Sequence, residues 1–157
     1  MKLLRILAQT CAVLGGVLLT LITLMTCVSL AGRNTTGWTL VGDVEISGFV
    51  AGAAIALFLP WCQLRRANII VDFFTARASA AWQALLDRTG ALALCAVMVL
   101  MTWRTGVGGL NAWVSQSGSM MLGLPEWTVY VCMVPPLALT AAIALTQALR
   151  GFDEADQ

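Results

Sequence analysis

Histidine is absent from the 157-residue chain. That removes the commonest general base, a bis-histidine haem anchor and every Ser/His or Cys/His nucleophile arrangement. Five cysteines remain: Cys11, Cys27, Cys62, Cys95 and Cys132. No two form a C-x-x-C pair, and each lies inside or at the edge of an apolar run. They therefore read as small packing residues and not as a thiol-disulfide centre. Asp72 and Asp87 stand fifteen residues apart on a solvated face and make a poor oxygen cage for a cation. The acidic pair with a definite address is Asp43 and Glu45, at the start of an apolar segment. Carboxylates there are favoured by exposed N–H groups and the helix dipole. Helix capping is the first reading of the pair, and contact with a partner subunit is the second. The expectation is no enzyme, with no catalytic residue, cofactor or metal.

The elements that carry these residues are unusually apolar. Hydrophobic residues make up 59% of the chain and charged residues 11%, with a mean hydropathy of +0.85. A soluble domain carries charge on roughly a quarter of its residues, so this composition belongs to a membrane protein. The net charge is +1 without a basic block, so nothing suggests nucleic acid and no such partner is expected. Four apolar stretches predict transmembrane helices at about 6–30, 44–64, 89–105 or longer, and 127–149. Each is long enough to cross about 30 Å of hydrocarbon at 1.5 Å per residue. The first is too long for a cleavable signal sequence and is read as an uncleaved span. Together they use the whole chain, 1–157, as one membrane domain.

Orientation follows the basic residues, which cytoplasmic segments retain. Lys2, Arg5, Arg65, Arg66, Arg77, Arg88 and Arg150 fall at the termini and in the middle loop, against Arg33 and Arg104 in the other two loops. Both termini are expected in the cytoplasm. Trp38, Trp61, Trp103, Trp113 and Trp127 fall near predicted helix ends, as an interfacial belt requires.

The middle loop has its own amphipathic period. From Ile70 onward, Ile70, Phe73, Phe74, Ala78, Ala81, Trp82 and Leu85 share one side of a helical projection, while Asp72, Thr75, Ser79, Gln83 and Asp87 lie opposite. This predicts a helix over about 70–86 lying in the membrane plane, with Arg77 at the edge of its apolar sector. Its plain role is a connector touching headgroups, and its sharper role a strut that docks on another protein. On the second helix Gly48, Gly52 and Ala56 recur every four residues, a stripe that admits a close neighbouring backbone. An internal neighbour is the first expectation. Pro135 and Pro136 should kink the fourth helix near its middle. The segment Gly123, Leu124, Pro125, Glu126, Trp127 reads as a turn into a helix, with Trp127 at the interface. Ionisable groups are nearly missing from the spans, so a transport pathway built by this chain alone is not expected.

This order of features is similar to that of a known family. Four spans with both ends inside, the opening Gly42-Asp43-Val44-Glu45, the run Arg65 to Asp72 and the turn Leu124-Pro125-Glu126-Trp127 resemble the small permease subunit of tripartite ATP-independent periplasmic (TRAP) transporters, the DctQ-like family. The chain departs from many members at Asn68, where they carry histidine. The resemblance implies an all-α membrane protein in the bacterial inner membrane. It implies a secondary-active, binding-protein-dependent and Na⁺-coupled uptake system for organic acids, in which this subunit is a static scaffold. Its implied partners are a large multi-span TRAP permease subunit, a periplasmic substrate-binding protein and membrane lipid. Asp43, Glu45, Gly48, Gly52, Arg65, Arg66, Asn68, Asp72, Arg77, Pro125 and Trp127 are the expected interface or structural residues. Arg33, Trp38 and Arg104 are weaker candidates for periplasmic contact, or are interface anchors. An anchor subunit of a different complex and an autonomous small multidrug-type exporter are the competing readings. The exporter would carry a membrane-embedded carboxylate in its first helix, where this chain has none.

Overall fold

The computed structural model describes residues 2–38, 40–65 and 80–150, with the backbone alone at 80, 81, 84 and 150. They form four α-helices: α1 (Lys2–Thr35), α2 (Asp43–Leu64), α3 (Ala80–Ser115) and α4 (Trp127–Arg150). All four are long and apolar enough to cross a membrane. Arg66, Asn68, Asp72 and Arg77, with most of the expected in-plane helix, lie outside the described residues. Its last part, from Ala80, belongs to α3 and runs on into the third span as one helix.

The boundaries differ from the sequence expectation in an informative way. The helices α1 and α3 have 34 and 36 residues, about 51 and 54 Å at 1.5 Å per residue. They overrun a bilayer core, whereas α2, with 22 residues, is about 33 Å long and just crosses one. Hydropathy marks only the apolar middle of a helix, and the polar ends of α1 and α3 continue it beyond that middle.

Packing runs in a row, α1 on α2, α2 on α4 and α4 on α3, with a narrow strip of contact between α1 and α4. The two inner helices hold the core. Of the apolar windows, 22% of α2 and 33% of α4 is buried inside the chain, against 6% of α1 and of α3. Without water between lipid-facing helices, close approach of small residues supplies the attraction. Ala53, Ala54, Ala56, Ala141, Ala144 and Ala148 accordingly dominate the buried set. Ala8, Leu64 and Ile143 form a core cluster, backed by Leu4, Trp61 and Leu139, where one end of α1, α2 and α4 meets.

The glycine contacts revise one expectation. A Cβ placed on Gly48 or Gly52 would meet nothing within 4 Å, so among the described residues no helix lies against that part of the stripe. Only Ala56, at its far end, is buried. The internal crossing uses another face of α2: a Cβ on Gly15 of α1 would lie 3.1 Å from the Ala54 carbonyl oxygen and 3.3 Å from Leu57 Cβ. At the α3–α4 contact, Gly108 and Gly109 make room for Tyr130. Pro135 and Pro136 lie within an unbroken α4, and the Thr140 hydroxyl donates to the Pro136 carbonyl at 2.8 Å.

Candidate functional site

Asp43 and Glu45 sit in the first turn of α2, and the structure assigns them different work. The residue before the helix is Gly42, in the left-handed conformation at φ 78°, and no side chain caps the helix through it. Asp43 therefore occupies the first helical position. Its Oδ1 accepts the neighbouring Val44 N–H at 2.8 Å, and its Oδ2 accepts the Ser29 hydroxyl of α1 at 2.6 Å. Ser29 is buried, so this short charge-assisted bond ties α1 to the start of α2. The side chains of Thr26 and Ser47 approach at 3.4 Å one turn deeper along the same seam.

Glu45 does not cap its own helix. Its two carboxylate oxygens accept the backbone N–H groups of Met121, at 2.8 Å, and Leu122, at 3.2 Å, in the loop between α3 and α4. The capping expectation is thus corrected for Glu45, and for Asp43 it holds only in the contact to Val44. A glutamate at the third helical position can reach back to the start of its own helix, but here the loop offers two backbone donors to its two oxygens.

That loop is a folded finger. Gly118 and Pro125 form an isolated antiparallel bridge, and the Ser119 N–H donates to the Leu124 carbonyl at 2.9 Å. The Gly123 N–H returns to the Ser119 carbonyl at 3.1 Å, with Gly123 at φ 64° to close the tip. The Leu124 N–H donates to the Ser119 hydroxyl at 3.1 Å, and the Ser117 hydroxyl donates to Glu126 Oε2 at 3.0 Å. Leu122 packs on Gly42 so closely that any side chain at 42 would overlap it. Gly42 is needed twice, for its positive φ and for this contact.

Pro125 leads into α4 as expected, its carbonyl accepting the Thr128 N–H at 3.2 Å and the Thr128 hydroxyl at 2.7 Å. Trp127 meets Trp113 edge-on, with ring centroids 4.9 Å apart. Trp38 closes the end of α1, its carbonyl lying over Gly32. Arg33 ends α1 on the same side, exposed. Arg104 is also exposed, but α3 continues eleven residues past it to Ser115, so it is not at the helix end where the apolar run had placed it.

Sequence reasoning missed the polar contact at the opposite end of the bundle. Gln63 Nε2 donates to Gln147 Oε1 at 2.7 Å, and Gln147 Nε2 donates to the Gln63 carbonyl at 3.1 Å. Both side chains are buried. The carbonyl lies in the last turn of α2, where the Arg65 N–H also faces it, and Gln147 of α4 adds a side-chain donor to that helix end. Two glutamines inside otherwise apolar runs were the available signal. Next to them the Arg65 guanidinium lies 4.9 Å from the Trp61 ring centroid, a cation–π contact.

Of the expected residues, Asp43 ties α2 to α1 and Glu45 ties it to the finger. Among the described residues no group of three or more His, Cys, Asp or Glu side chains converges as a metal site. Comparison with known proteins adds one finding: the family model described as "Tripartite ATP-independent periplasmic transporters, DctQ component" matches residues 22–154. No curated protein and no solved structure matches the chain.

Proposed function

The chain belongs to the DctQ component family of tripartite ATP-independent periplasmic transporters and is a small membrane subunit of such a system; from that premise we propose that it is the static scaffold on which a large permease subunit takes up organic acids, coupled to Na⁺ and fed by a periplasmic binding protein. One observation carries the scaffold role. The helices form a row with broad unpartnered faces: Val13, Val17, Leu21 and Leu24 on α1 and Val97, Leu100 and Leu110 on α3 are all exposed. The ionisable residues Asp43 and Glu45 are spent on internal ties. Surface of that kind suits packing on lipid and a partner, and a second helix whose two opening carboxylates are occupied suits support better than passage.

On this reading the end of the bundle bearing Asp43, Glu45 and the finger faces the periplasm, and the Gln63–Gln147 end faces the cytoplasm of a bacterial inner-membrane protein. The open Gly48–Gly52 face receives a helix of the large subunit. Arg65, Arg66, Asn68, Asp72 and Arg77 secure the region that joins α2 to α3, or meet the large subunit there. Arg33, Trp38 and Arg104 touch headgroups or the binding protein.

Co-purification tests the proposal. The tagged chain, extracted in mild detergent, should bring down one large multi-span membrane protein in stoichiometric amount. The pair in vesicles should then accumulate an organic acid when supplied with binding protein and a Na⁺ gradient. A chain that emerges alone and self-associated refutes the scaffold role, and uptake that ignores Na⁺ refutes the coupling.

A further inference from the structure

The finger between α3 and α4 is built inside out for a loop in water. The backbone N–H groups of Ser119, Met121, Leu122, Gly123 and Leu124 all donate to groups of this chain, two of them to Glu45. The side chains at its tip point away. Met120 is 101% exposed and Met121 66%, with Leu122 and Leu124 each more than a third exposed. From Thr105 to Pro125 there is no charged residue. A loop in water normally leaves backbone to the solvent and covers it with polar side chains. Burial in a medium without hydrogen-bonding partners demands the opposite: satisfied amides and apolar side chains outward.

The position of the tip matches. Glu45 holds Met121 and Leu122 at the level of the first turn of α2, the helix whose 22 residues just cross about 30 Å of hydrocarbon. The finger leaves the end of the longer α3 and folds back to that level. Trp113, Trp127 and Trp38 stand at the same end of the bundle, as residues of an interfacial belt do. Val41 and Val44, on either side of the glycine under Leu122, are 68% and 78% exposed.

We infer that Met120 and Met121 form an apolar fingertip seated in the lipid interface, clamped at its depth by Glu45. The occupant is lipid, since the tip lies at the boundary depth, carries no charge or polar side chain by which a soluble protein would be recognised, and has flexible thioether chains suited to a fluid neighbour.

Spin labels test this on the full chain in phosphatidylethanolamine–phosphatidylglycerol vesicles, with and without the co-expressed large subunit. Labels are placed through Met120→Cys and Met121→Cys after replacement of the five native cysteines. Leu100→Cys and Asn34→Cys serve as lipid-facing and water-facing references. Collision with oxygen should exceed collision with a soluble nickel chelate several-fold at 120 and 121, as at 100, and the order should reverse at 34. Adding Glu45→Gln should shift position 120 toward nickel access. Nickel access at 120 equal to that at 34 overturns the inference. So does shielding from both reagents once the large subunit or binding protein is present, because a protein would then cover the tip. Nickel access at 100 as well would overturn the membrane placement of α3 together with it. Where cysteine removal perturbs folding, an environment-sensitive fluorescent amino acid at 120 probes the same seat: a blue-shifted emission unquenched by iodide supports it, and a quenched one overturns it.

Discussion

Replacing Gln147 by leucine removes two bonds at once, the 2.7 Å bond from Gln63 Nε2 and the 3.1 Å bond to the Gln63 carbonyl. Leucine fills a similar volume, so the loss is one of hydrogen bonding and not of packing. Each intramolecular hydrogen bond is worth about 1 kcal/mol net, which gives about 2 kcal/mol for the pair. Interhelical bonds in membranes average lower, about 0.6 kcal/mol each, which gives about 1.2 kcal/mol. Both bonds lie where Gln147 is 2% exposed, so water does not readily replace them. The expected destabilisation is therefore about 1–2 kcal/mol. At about 2–4 °C per kcal/mol for a chain of this size, the melting midpoint of the detergent-purified protein should fall by roughly 2–8 °C. A double-mutant cycle with Gln63→Leu separates the pair from its surroundings. The side-chain bond is lost in either single variant, so the double variant should cost less than the sum of the two. Strict additivity, or a Gln147→Leu variant that melts with the parent, would refute the claim that these amides clamp α2 to α4.

Other variants probe the remaining ties. Gly15→Ala and Gly16→Ala differ by one position, yet the first forces a Cβ against the Ala54 carbonyl and the second enters open space. The first should destabilise by about 1–3 kcal/mol; the second should be neutral or stabilise by up to about 1 kcal/mol through helix propensity, both read as melting midpoints. Glu45→Gln swaps an acceptor oxygen for an amide donor facing the finger. Hydrogen exchange at Met121 or Leu122 should accelerate while exchange within the α2–α4 core is unchanged, and equal rates in both proteins would contradict the clamp. Gly48→Leu should not lower the melting midpoint of the isolated chain, since nothing lies within 4 Å and leucine favours a helix over glycine, and should reduce co-purification of the large subunit; full recovery of the pair would remove this face from the interface. Asp72→Ala should lower the yield of the assembled complex or its transport, and normal levels of both would strike Asp72 from the interface.

The membrane class, the four spans and the family were written in the sequence, because long apolar runs have few alternatives to helices in lipid and because the Asp43–Glu45 opening and the Leu124–Trp127 turn are local strings. That Asp43 and Glu45 open the second helix was legible too. Their bonding was not. Position on a helix shows that a carboxylate is favoured near an N-terminus, but which donors it meets depends on elements distant in the chain: Ser29 for Asp43, and the amides of Met121 and Leu122, some seventy-six residues on, for Glu45. The glycine stripe shows the same division. Spacing identifies Gly48, Gly52 and Ala56 as a face that admits a neighbour. Only the packing reveals that α1 crosses at Gly15 and Ala54 and leaves Gly48 and Gly52 open. Hydrophobic patterning is a local property that fixes which segments leave water. Contacts between segments depend on the row in which the helices pack, and that order is set by the fit of small residues and the pairing of a few polar side chains. The tertiary structure alone decided it.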